Sequence, residues 1–98
     1  MKRNTYPEMN KLIKLLVKRN IPFEVLAFPA FAQDVDMGLQ IFAPSFDEHK
    51  IDAVCHWGTY GYEKGLIEIM SDKVDPDGVV GWLTAEEAIR YFEEAVYG

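Results

Sequence analysis

Apolar side chains recur at helical spacing near both ends of the chain, and between them the pattern changes to alternation. From Pro7 to Arg19, Met9, Leu12, Ile13 and Leu16 follow the i, i+3, i+4, i+7 rule that lines one face of a helix, and Leu15 and Val17 widen the stripe. Thr5 is the expected N-cap, with Pro7 and Glu8 in the first turn and Lys18 and Arg19 in the last, where each suits the helix dipole. Asn20 stands where a left-handed residue would end the helix, and Pro22 bars its continuation. The second helical pattern runs from Thr84 to Tyr97. It opens on T-A-E-E, a capping box of Thr84 and Glu87. Ala85, Ala88, Ile89, Phe92, Ala95 and Val96 line one face, and Glu86, Arg90, Glu93 and Glu94 the other.

The middle reads as strands. Phe23–Phe28 alternates in part. Gly38–Ala43 and Lys50–Trp57 alternate throughout, the latter with Ile51, Ala53, Cys55 and Trp57 on one face and Asp52, Val54 and His56 on the other. Residues 44–49 and 72–78 are turns by composition. Leu66–Met70 is ambiguous between strand and helix, and Val79–Leu83 reads as a short last strand or an extended lead-in to the second helix. Strands clustered between helices predict an α+β fold: an N-terminal helix, a three- to four-stranded antiparallel meander and a C-terminal helix, with both helices on one face of the sheet. The 98 residues are expected to form a single domain, without linker or internal repeat.

Charge changes the picture modestly. Residues 1–20 hold six basic groups against Glu8 alone, a balance of +5, whereas residues 21–98 hold four basic and fifteen acidic groups, a balance of −11. An acidic body argues against a nucleic-acid binder with a broad positive face. Two narrower readings stay open: an acidic mimic of nucleic acid that blocks a DNA-binding enzyme, and nucleic-acid binding by the first helix through Lys11, Lys14, Lys18 and Arg19. The start MKRNTYPEMN has no apolar core, and no run approaches the roughly 20 apolar residues of a membrane span. With one cysteine, Cys55, no internal disulfide forms, and a cytoplasmic setting is expected.

The most distinctive stretch is HWGTYGYEKG, residues 56–65, with three glycines, two tyrosines and a tryptophan. Tyrosine and tryptophan concentrate in recognition surfaces, so the segment predicts a binding loop displaying Trp57, Tyr60 and Tyr62 with His56, Glu63 and Glu68 beside them. A glycine-rich turn whose aromatics cover the edge of the core is the structural alternative. The stretch matches neither a phosphate-binding loop nor a dinucleotide fingerprint. Cys55 and His56 are adjacent on a strand and point to opposite faces, so they cannot pair as nucleophile and base; Cys55 reads as a small buried hydrophobe. His49 and His56, seven residues apart, fit no strong metal spacing. With Asp75, Asp77 and Gly78 at calcium-loop positions 3, 5 and 6, Lys73 and Thr84 fall where carboxylates belong. No catalytic residue, metal or cofactor is expected, although a hydrolase using His56 and Glu68 is the residual enzymatic reading.

Two stretches, HWGTYGYEKGLIEIM (residues 56–70) and VVGWLTAEEAIRYF (residues 79–92), resemble a family of small uncharacterised proteins of phages and prophages of Gram-positive bacteria. Its pattern is H-x-G-[ST]-Y-G-x-x-x-G-L-[LI]-E-[IL]-M followed by V-x-G-[YW]-L-T-A-E. The phrase RNIPF resembles the family's x-G-I-P-x segment, here with Asn20 where glycine is common. The resemblance implies a phage-related origin inside a host cell and carries no catalytic residues. It also implies that His56, Gly58, Tyr60, Gly61, Gly65 and Glu68 form one unit, structural or functional. The expected function is therefore non-enzymatic: a phage accessory or host-modulating module that binds a host or phage protein. Homodimerisation stays open, given thirteen aromatic residues, and no membrane contact is expected.

Overall fold

The computed structural model describes residues 6–28, 38–56, 62–71 and 78–98. The elements run α1 (Pro7–Lys18), β1 (Glu24–Phe28), β2 (Gly38–Ala43), β3 (Ile51–His56), a 3-10 turn (Tyr62–Lys64), β4 (Ile67–Met70), β5 (Val79–Leu83) and α2 (Ala85–Tyr97). The five strands form one antiparallel sheet in chain order, β1-β2-β3-β4-β5. The fold is α+β as expected, with five strands where three to four were anticipated.

The register explains which side is core. Ile41 pairs with Ala53 and Ala53 with Ile69; Ala43 pairs with Ile51, and Leu39 with Cys55. These side chains share one face and join Met9, Leu12 and Leu16 of α1 and Ala88, Ile89 and Phe92 of α2 in one hydrophobic cluster. Phe42, Val54, Asp52 and Glu68, also buried, belong to the other face and lie outside that cluster. Both helices therefore cover the same side of the sheet. Burial of Phe92 alone withdraws a whole aromatic side chain from water, worth about 1.5–3 kcal/mol.

Specific caps hold the two helices. At the end of α1, the Asn20 N–H donates to the Val17 carbonyl and the Ile21 N–H to the Leu16 carbonyl, while Asn20 adopts φ 58°. This pair of bonds is the Schellman pattern, and Ile21 and Leu16 supply its hydrophobic contact, both being buried. At the start of α2, the Glu87 N–H donates to Thr84 Oγ1 at 3.3 Å, and the Thr84 N–H donates to Glu87 Oε1 at 2.9 Å. The Thr84 N–H and the Thr84 hydroxyl both donate to the charged carboxylate and hold the Glu87 pKa below its ordinary value. Glu8 of α1 adds a third bond, accepting from the Ala85 N–H at 2.8 Å. At the other end Arg19 meets Glu93 at 2.6 Å, and the Tyr97 hydroxyl donates to the Asn20 carbonyl. Like ends of α1 and α2 therefore lie together, and the helices run parallel.

Three local expectations need correction. The N-cap of α1 is Tyr6, at φ 52°, with no side-chain capping bond; Thr5 lies outside the described residues. Arg19 is the C-cap rather than a helical residue. Val17 does not extend the buried stripe and is 63% exposed. At 3.6 residues per turn, Glu8, Leu15 and Arg19 fall on the flank that meets α2, and Val17 falls on the opposite flank.

Candidate functional site

The face of the sheet away from the helices carries polar groups that are nevertheless buried. Asp52 on β3 is 7% exposed and Glu68 on β4 is 5% exposed. Cross-strand pairing sets their relation. Val54 stands opposite both Gln40 and Glu68, so Asp52 and His56, two residues to either side of Val54, are the diagonal neighbours of Glu68. Diagonal neighbours in a sheet stand roughly 7–8 Å apart at the backbone. Gln40 Nε2 donates to Asp52 Oδ2 at 2.7 Å. Burial raises the Asp52 pKa above its ordinary value; the Gln40 hydrogen bond and the nearby His49 oppose that rise without cancelling it.

At one end of this face, the residue 44–50 turn folds back on the sheet. The Phe42 ring meets Phe46 edge-on at 4.9 Å and His49 at 5.0 Å. The Phe46 N–H donates to Glu24 Oε1 at 2.7 Å, which draws the turn against β1. At the other end, Gly38 pairs with His56 at φ 139°, and a Cβ there would stand 2.4 Å from the Cys55 carbonyl oxygen. Only glycine permits so close an approach beside His56.

The pairing of β4 with β5 is interrupted opposite Glu68. Ile67 pairs with Leu83 and Ile69 with Val80, which leaves Gly81 and Trp82 facing the single residue Glu68. The extra residue is a β-bulge, a device that bends a strand and re-aims a side chain. Within it Trp82 takes φ 63° and is 57% exposed. A left-handed conformation costs a non-glycine residue roughly 1–2 kcal/mol. Here that cost is borne by a large apolar side chain presented to water.

Of the six residues expected to bind, His56 ends β3, half-buried, and Glu68 lies within β4. These two come together on the helix-free face. Glu63 is exposed in the 3-10 turn, which begins at Tyr62. Trp57, Tyr60 and the Tyr62 side chain lie outside the described residues, as does the acidic stretch 72–77. Glu68 itself sits beneath the surface rather than on it. Cys55 is buried on the helix side, opposite His56. Lys11, Lys14, Lys18 and Arg19 are exposed on α1; Lys11 lies 3.5 Å from Glu8, and Arg19 is held by Glu93. Among the described residues, no group of three or more His, Cys, Asp and Glu side chains is placed to hold a metal ion. No helix among them is long and apolar enough to cross a membrane.

Sequence reasoning missed Trp82. Residues 79–83 read in sequence as a short strand or an extended lead-in, and neither pattern carries a mark of a left-handed backbone. The adjoining Gly81 is the one local signal of a bulge. Comparison of the chain with protein-family models, with curated proteins and with solved structures finds no match.

Proposed function

We propose that the protein is a non-enzymatic binding module that recognises another protein through the bulged β5 edge and the helix-free face beside it. The observation that carries this reading is Trp82. It is 57% exposed and held at φ 63°, so it contributes little burial and adds backbone strain. Residues held in unfavourable backbone regions persist where they serve a task other than stability, and tryptophan is among the side chains that dominate binding energy. The half-buried His56 and buried Glu68 give the adjoining sheet surface a polar floor. The resemblance of residues 56–70 and 79–92 to phage and prophage proteins extends the reading: a phage accessory or host-modulating protein acting in the host cytoplasm on a host or phage protein.

Affinity capture from lysate of a Gram-positive host, with and without phage infection, tests it. The wild-type protein should retain a specific protein that Trp82→Ala loses, with circular dichroism showing both variants folded. Trp57→Ala and Tyr60→Ala, assayed in parallel, report whether the glycine–aromatic segment belongs to the same surface. Equal capture by wild type and Trp82→Ala would end the assignment of Trp82 as the anchor.

A further inference from the structure

The opposite edge of the sheet carries a second unexplained surface. β1 is the terminal strand of the described sheet, and its sequence, EVLAF, contains no proline or lysine to guard the edge. Val25 and Leu26 point to opposite sides of the sheet, yet they are 44% and 41% exposed, so both faces of the strand are bare. Phe46, 53% exposed, stands against the same edge. Glu24, Val25, Leu26, Phe42, Phe46 and Asp47 line a concavity of about 350 Å³. That volume is at the small end of ligand sites and suits one or two side chains rather than a large molecule.

Charge selects the occupant. Among the described residues the lining carries two carboxylates, Glu24 and Asp47, and no basic group. Glu24 is held in place by its bond from the Phe46 N–H, which uses one carboxylate oxygen. A second copy of β1 would bring another glutamate and no cation to this rim. An extended segment with an apolar residue flanked by lysine or arginine would fill the groove, pair its cations with the rim and bond its backbone to the outer edge of β1, the terminal strand among the described residues. We infer that the β1 edge binds an extended basic–apolar segment of a partner protein by strand addition. The surface is distinct from Trp82, so its failure would leave the reading of the β5 edge intact.

The test is selection from a displayed library of random twelve-residue peptides against the full chain. Enriched peptides should carry lysine or arginine beside alternating apolar residues. Titration of such a peptide into ¹⁵N-labelled protein should move the amide signals of residues 24–28 and leave those of 79–83 in place. N-methylation of alternate peptide nitrogens in either register is expected to abolish binding in one of the two. The double variant Glu24→Gln with Asp47→Asn keeps an acceptor for the Phe46 N–H, yet should bind about tenfold more weakly, as the loss of two exposed charge pairs of about 0.7 kcal/mol each requires. The proposal is overturned if no peptide is enriched, if enriched peptides lack basic residues, if the shifts map away from β1, or if the double variant binds as tightly as wild type. A concentration-dependent dimer in light scattering, with its interface mapped to β1, would overturn it in favour of a second copy.

Discussion

Trp82 invites a comparison of two truncations that differ only at the backbone. Trp82→Ala and Trp82→Gly both remove the ring, so the loss of its remaining contacts is common to the pair. Alanine keeps the Cβ that makes φ 63° unfavourable, a cost of roughly 1–2 kcal/mol, and glycine removes it. Glycine also loosens the unfolded chain, which costs about 0.5–1 kcal/mol relative to alanine. The balance leaves the glycine variant the more stable, by up to about 1.5 kcal/mol and at the midpoint of the ranges by about 0.75 kcal/mol. For a domain of this size, that separates the two melting temperatures by roughly 4 °C. Paired thermal and guanidinium melts measure it. At Val25, an exposed strand position without positive φ, the same exchange should run the other way, with alanine the more stable. If glycine proves no better than alanine at position 82, the backbone there is not left-handed, and the argument that Trp82 is displayed against its own preference fails.

Other consequences concern the two faces of the sheet and the caps. Asp52 has its pKa raised by burial, so the unfolded state binds its proton less readily than the folded state does. Stability from this group is then fully present below the unfolded value near 3.8 and is lost as pH rises through the folded value. Asp52→Asn, which keeps an oxygen for Gln40, should melt above wild type at pH 7 and level with it at pH 3; a constant difference across that range would contradict the sign. Thr84→Ala removes the N-cap of α2 and should cost about 1 kcal/mol in a guanidinium titration, with refutation in an unchanged midpoint. Phe92→Ala should cost about 3–5 kcal/mol and Phe46→Ala under about 1 kcal/mol, because Phe92 is fully buried in the helix-side cluster and Phe46 is largely exposed; comparable losses would mean the core is misassigned.

Local chemistry was the legible part. The capping box at Thr84 and Glu87 was readable because it spans four residues, and so was the left-handed stop at Asn20. The limits of β2 could be read because alternation needs only neighbours along the chain. What escaped depended on distant partners. Val17 looks like core on α1 alone; its exposure follows from which flank α2 occupies, and contacts from Glu8 and Arg19 decide that. Leu66–Met70 was ambiguous because Ile67, Glu68 and Ile69 are all buried, so the strand lacks the wet face that alternation relies on. Glu68 and His56 were named together, but their diagonal relation comes from the β3–β4 register. The bulge at Gly81 and Trp82 exists only against β4.

If Trp82 anchors a protein-binding surface, as proposed, its own fluorescence must report the partner's arrival. Trp57 and Trp82 are the two tryptophans of the chain, so Trp57→Phe leaves Trp82 as sole reporter. Adding the captured partner should shift the Trp82 emission to shorter wavelength and shield it from acrylamide, as burial of a largely exposed indole requires. Saturating binding with emission and quenching unchanged would show that Trp82 stays in water in the complex and is not the anchor.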